Sequence, residues 1–426
     1  MRKGFYLTTL MLAAVLTAQA QTFKFDFSTR KKTAEGFVKV TPQTVYSDQQ
    51  GYGYDRETSW DGKGNEPFFF SVQVPDGNYH VTVTLGSDKS AGMTTVRGES
   101  RRLLLEHVAT KKGEKKTESF CINKRDTLIR PGYFVKIKSR ERSKLNWDNR
   151  LTLEFNGEAP RIRSLVIERV ENVPTIFLCG NSTVVDGDSD PYTSWGQMIP
   201  RFFTDQVCVA NYAESGLSAD SFQYQRRLEK ILTQIKPGDW LFVEFGHNDQ
   251  KQKGAGKGAY YSFAYYIKIF IDKTREKGAN PVIVTPTRRR QWSQDGKHIL
   301  DTHGDYPKVL REIAVREQVP LIELQEMTKV LCETMGEEGS KNIFVHYPAG
   351  AFPGHSKEMK DNSHFNMFGA YEVAKCIAQG IKDAKLPLAD YLRPDFEGFD
   401  PAQPDKLEDF QWDAYPYVDL TKPDGN

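Results

Sequence analysis

Four short clusters in this chain carry side chains suited to acyl transfer: Gly180-Asn181-Ser182, Asn211-Tyr212-Ala213-Glu214-Ser215-Gly216, Gly246-His247-Asn248-Asp249 and Asp361-Asn362-Ser363-His364. A serine hydroxyl is a poor nucleophile until a base takes its proton. Histidine is the residue type most often used as that base, and His364 can fill the role. Asp361, three residues earlier, can hold the other imidazole nitrogen if a turn brings the two together. A tetrahedral intermediate needs donors aimed at its oxyanion. The Ser182 N–H, the Gly216 N–H and the Asn248 side-chain amide would supply three, and glycine at 216 lets the backbone approach closely. Ser182 alone reads equally well as a helix cap. Only the three distant clusters make it a nucleophile.

Chemistry at these positions requires elements that bring them together. Residues 175–179 are a short apolar run stopped by Gly180, the pattern of a buried parallel strand. Further strands are expected at 206–212, 240–245, 281–284 and 319–323, alternating with helices at 220–235 and 260–277. The alternation predicts an α/β fold with a doubly wound parallel sheet, flavodoxin-like in type. The first three clusters follow the carboxyl ends of strands, where open α/β sheets bind ligands. The fourth falls near the start of the final helix.

The first half of the chain reads differently. Strand-like runs at 68–74, 79–85, 102–107, 117–122, 133–137, 151–155 and 164–168 recur with turns between them and no long helix, which predicts a β-sandwich. The turn at Pro75-Asp76-Gly77-Asn78 suggests that 79–85 returns beside 68–74. Residues 111–116 are charged and expected in a solvated loop. The aromatic residues Tyr52, Tyr54, Trp60 and Trp147 are candidates either for stacking on a sugar or for packing. The expected organisation is a signal segment at 1–20, the all-β sandwich at 22–172, the α/β domain at 174–387 and an extended tail at 388–426. In the tail, Pro394, Pro401, Pro404 and Pro416 discourage helix.

Composition narrows the field. The chain has 426 residues, 58 Lys and Arg against 56 Asp and Glu, and a net charge of +2, so there is no basic excess to suggest nucleic acid. Arg2 and Lys3, the apolar stretch 5–16 and Ala18-Gln19-Ala20 have the form of a secretion signal whose apolar core is too short to span a bilayer. Secreted or periplasmic location is therefore expected, with no transmembrane anchor. The five cysteines are an odd number and too few for a disulfide scaffold. No cysteine or histidine spacing suggests a metal site.

The blocks GNST, ESGLSADS, FGHND and DNSH together resemble the SGNH (GDSL-type) hydrolase superfamily, and within it the rhamnogalacturonan acetylesterase family of carbohydrate esterases. The resemblance covers residues 174–387. It implies an SGNH-hydrolase fold with Ser182 as nucleophile, His364 as base, Asp361 as its partner, and Ser182, Gly216 and Asn248 as oxyanion donors. It also implies an acetylated polysaccharide as substrate and no metal or organic cofactor. The preceding sandwich would be an accessory domain, galactose-binding-like. Asn181 stands where the family usually has Asp. His247 is a candidate either for substrate contact or for packing beside Asn248, and at least one arginine of the run Arg288-Arg289-Arg290, with Arg288 named first, is a candidate partner for an acidic sugar. Alternatives are an esterase of xylan or another glycan, a glycan-binding protein with an inactive esterase domain, and a metal-dependent phosphoesterase.

Overall fold

The computed structural model describes residues 22–424. The expected signal segment lies outside the described residues. Residues 22–170 form two five-stranded sheets whose inner faces share one core. One sheet contains Thr22–Asp26, Gly77–Leu85, Lys116–Lys124 and Ile162–Val170, with the short Val38–Lys39 strand parallel at its edge. The other contains Tyr52–Asp55, Phe68–Gln73, Gly92–Gly98, Arg102–Thr110 and Arg150–Ala159. Period-two alternation works as expected: Tyr79, Val81, Val83 and Leu85 are buried while His80, Thr82 and Thr84 are half-buried.

One strand pairing differs from expectation. Gly77–Leu85 does not return beside Phe68–Gln73; it pairs with Lys116–Lys124 and Ile162–Val170 in the opposite sheet. Both strands carry large apolar residues at alternate positions, so each must bury at least one face, and Phe68–Gln73 buries both. They satisfy that demand by facing each other across the core, with residues 75–76 crossing between layers. The expected strand at 133–137 is reduced to Tyr133–Phe134.

In the second half, five parallel strands have the order Cys208–Asn211, Thr175–Cys179, Trp240–Glu244, Asn280–Val284, Leu321–Ile322. The middle strands are buried throughout, and their residues alternate between two cores. Ile176, Leu178, Phe242, Val282 and Val284 face one; Phe177, Cys179, Leu241, Val243 and Ile283 face the other. A sheet covered on both faces is why these strands read as continuous apolar runs. Helix Met367–Asp383 packs on the first side and Ala264–Glu276 on the second.

The helix expected at 220–235 is broken into Ala219–Tyr224 and Arg227–Leu232, because Arg226 adopts a left-handed conformation with φ 63°. All five cysteines are buried and free. No helix among the described residues is long and apolar enough to cross a membrane.

The two halves meet along a seam of buried ion pairs. Arg102 pairs with Asp186 at 2.8 Å, and Arg227 with Glu141 at 2.6 Å. Trp147, buried, packs edge-on against Tyr212 across this seam. Tyr54 and Trp60 are buried in the sandwich core and Tyr52 packs against it. All four aromatic candidates are thus packing residues.

Candidate active site

Ser182 sits in the turn that follows the first parallel strand. Gly180 is required there: a Cβ would lie 2.4 Å from Val184 Cγ2 and 3.3 Å from the Glu244 carbonyl oxygen. The turn is closed by Asn181. Its carbonyl accepts from the N–H groups of Val184 and Val185, and its Oδ1 accepts from Thr183 N–H at 3.0 Å. The capping role that residue type allows Ser182 is therefore filled by its neighbour, and no helix begins at this point.

Ser182 Oγ lies 2.9 Å from His364 Nε2, and His364 Nδ1 lies 2.9 Å from Asp361 Oδ2. All three residues are buried. The hairpin of Phe344–Tyr347 with Met359–Phe365 presents the last two. Phe344 pairs with Phe365 and Val345 with Asp361, so residues 362–364 bulge out of the ladder. Asp361 Oδ1 closes the bulge by accepting from the N–H groups of Ser363 and His364. Burial pushes the Asp361 carboxyl up, but His364 and these two N–H groups outweigh it and hold it well below the usual range. An ionised Asp361 keeps the imidazole proton on Nδ1 and leaves Nε2 facing the hydroxyl.

Gly216 follows the second strand with φ 77°, a conformation that favours glycine. Asn248 follows the third; its Nδ2 donates to the Leu217 carbonyl at 3.0 Å, which spends one of its two hydrogens and fixes the amide. Asp249 reaches across: its Oδ1 accepts from Ala219 N–H and its Oδ2 from Gly246 N–H. Residue type suggests a cap on the segment after it; instead it ties the third cluster to the helix after the second. Burial pushes its carboxyl up to about 7.

Two residues stand elsewhere than expected. His247 is 1% exposed, accepts from Arg289 Nε at 3.1 Å and lies 3.2 Å from His303. Arg288 is buried and pairs with Asp301 at 3.3 Å and Glu326 at 3.0 Å. In the structure Arg288 is thus engaged by Asp301 and Glu326, and the His247 ring by Arg289 and His303. Arg290 instead supports the catalytic hairpin. Its N–H donates to the Asn362 carbonyl at 2.7 Å, bracing the bulge that carries His364.

Sequence reasoning missed a set of residues from the first half. Arg140 and Lys144 line the cavity beside Ser182 and His364, together with Tyr192 and Glu214. Arg140 donates to Glu214 Oε1 at 2.7 Å and Lys144 to Oε2 at 3.0 Å. Burial raises the Glu214 carboxyl, but Lys144, Arg227 and Arg140 together hold it well below the usual range. The charged composition of 138–144 was visible; its position, far from the motif blocks, gave no signal of this role.

Beside the Ser182 turn lies Glu244. Its Oε1 is 2.6 Å from Thr183 Oγ1, and its Oε2 accepts from Trp195 Nε1 at 2.5 Å. Burial pushes Glu244 up to about 7, against those hydrogen bonds. A carboxyl raised above its unfolded value contributes stability that is complete below pH ~4 and is lost as pH rises through about 7. Glu244→Gln is therefore expected to gain stability relative to wild type between pH 5 and 8.5, in denaturant unfolding at each pH. A constant difference would show that Glu244 does not change its proton on folding. A neutral Asn181 beside this group avoids a second negative charge, since Thr183 Oγ1 also lies 3.0 Å from Asn181 Oδ1.

A serine, histidine and aspartate joined in one hydrogen-bonded chain at the carboxyl end of a doubly wound sheet define an SGNH-type ester hydrolase. Residues 178–352 match the GDSL-like Lipase/Acylhydrolase family, and the chain belongs to it as a carboxylic ester hydrolase. It is 42% identical over 219 residues to the rhamnogalacturonan acetylesterase RhgT of Bacillus subtilis (strain 168), a match covering 51% of this chain and 93% of that protein. It is 27% identical over 246 residues to the rhamnogalacturonan acetylesterase of Emericella nidulans, covering 53% and 91%. An uncharacterized esterase of B. subtilis, YxiM, is 25% identical over 391 residues, covering 86% and 92%. The crystal structure of YxiM aligns at a TM-score of 0.47 with 23% identity, over 86% of this chain and 99% of that one.

Proposed function

We propose that this chain is an exported serine esterase that removes acetyl groups from rhamnogalacturonan. The observation that carries the catalytic part is the Ser182–His364–Asp361 hydrogen-bonded chain at 2.9 Å per link. Ser182 Oγ attacks the acetyl carbonyl as His364 Nε2 takes its proton. The oxyanion is held by the N–H groups of Ser182 and Gly216 and the Asn248 amide. His364 returns the proton to the departing sugar oxygen, leaving an acetyl-serine. Water, deprotonated by His364, then attacks that ester, and acetate leaves as Ser182 recovers its proton.

The substrate assignment is supported by the 42% identity to RhgT, which spans nearly all of that protein. Export is supported by the form of residues 1–20, and the mature chain is expected to begin at Gln21. The test of substrate is acetate release from acetylated rhamnogalacturonan and acetylated xylan, side by side at equal acetyl content. Release at least about tenfold faster from the pectic polymer is expected, the rate ratio of a 1.4 kcal/mol preference. Equal rates would sink the assignment while leaving the esterase in place.

A further inference from the structure

The chain's own tail crosses the site. Asp419, Thr421 and Pro423 line the cavity that holds Ser182 and His364, so the tail forms part of its wall. Ser189 fastens the strap, its Oγ donating to the Asp419 carbonyl at 2.9 Å. Lys422 Nζ lies 3.3 Å from Asp361 Oδ2. At the end of the strap, Asp424 Oδ2 accepts from Lys138 Nζ at 2.9 Å and lies 3.0 Å from an Arg140 guanidinium nitrogen. Asp424 also rests on Gly216: a Cβ there would meet the Asp424 Cβ at 2.7 Å and Lys138 Nζ at 3.2 Å.

The two cations are built into position without the tail. Lys138 Nζ donates to the Ser215 carbonyl at 2.6 Å, and Arg140 is forked onto Glu214 Oε1 and reaches Ser215 O at 3.1 Å. Lys138 Nζ and Arg140 Nη2 then both face one further carboxylate, that of Asp424. That carboxylate is half exposed on a terminal strap, so a ligand carboxylate can replace it in a like-for-like exchange.

We propose that Lys138 and Arg140 form a subsite for a uronate carboxylate next to the oxyanion glycine, and that Asp424 occupies it here as a stand-in. The proposal rests on the pectic reading above, in which an acidic sugar adjoins the acetylated one. It moves the acid-recognising group from Arg288 to the sandwich half of the chain, and makes the tail a competitor of substrate.

The test is inhibition of p-nitrophenyl acetate hydrolysis by D-galacturonate, with galactose and acetate as matched controls, on the full-length chain. Galacturonate is expected to inhibit and galactose not to. Asp424→Asn should lower the galacturonate inhibition constant about threefold, the scale of an exposed ion pair. Lys138→Ala should raise it about tenfold, the scale of one charge-assisted hydrogen bond, and Lys138→Arg should restore it. Equal inhibition by galactose, equal Lys138-dependence for acetate, or no response to Lys138→Ala would each overturn the subsite. Acetate release from the polymer is read separately: if it persists when the subsite fails, the pectic reading stands without it.

Discussion

Ser182→Ala is expected to lower kcat for acetate release by about 10⁴- to 10⁶-fold, the range seen when a nucleophile is removed from a hydrogen-bonded triad. The size follows from the loss of the covalent route. His364 and the oxyanion donors remain, so the residue of activity would be their action on a water molecule. The fold should be indifferent. Ser182 is buried, but its hydroxyl has its partner in His364, and the turn is held by Asn181 and Gly180. Thermal unfolding within a few degrees of wild type, alongside the collapsed rate, is the expected pair of results. A variant that keeps its rate within tenfold would remove Ser182 from the reaction.

Glu141→Ala is expected to destabilise the protein by about 3–5 kcal/mol, the cost of stranding a buried charge. Glu141 and Arg227 have fully buried side chains. Glu141 accepts from Arg227 with both oxygens, from Trp147 Nε1 at 3.0 Å and from the Lys138 N–H at 2.8 Å. Removing it takes away the carboxylate hydrogen-bonded to Arg227, leaving the buried guanidinium with the Gln225 and Tyr212 oxygens and the charge of Glu214. Denaturant unfolding at pH 7 measures the loss. The double variant Glu141→Leu, Arg227→Met should recover much of it, because no charge is then left buried. A coupling below about 1 kcal/mol would mean that the seam does not depend on this pair. The 138–144 segment is anchored by the same residue, so Glu141→Ala should also weaken any function that needs Lys138 and Arg140 in place.

The parallel sheet was legible because burial on both faces writes itself as unbroken apolar runs, and the helical stretch at 220–235 because Leu228, Ile231 and Ile235 recur at helical spacing. The break at Arg226 was not legible, since an arginine at φ 63° has no marker in residue type. The pairing of Gly77–Leu85 was not legible either. A turn says that the chain changes direction, and alternation says that one face is buried; neither says in which sheet the next strand lies. His247 and Arg288 show the same limit for side chains. Residue type makes them candidates for a ligand, but His303, Arg289, Asp301 and Glu326, which occupy them, lie 38 or more residues away or across a loop.

The blocks around Ser182, Asp361 and His364 were legible in the residue order alone. Each lies within one turn of a strand end or a bulge, and local backbone geometry suffices to place Ser182 after Gly180 and His364 three residues from Asp361. Their surroundings are set by packing between segments far apart in the chain. The cations beside Ser182 come from residues 138–144 of the sandwich half, and the strap over it from residues 419–424. Both are contacts between segments with no local pattern in common. Long-range packing and charge pairing bring them together, and those forces leave no periodicity to read.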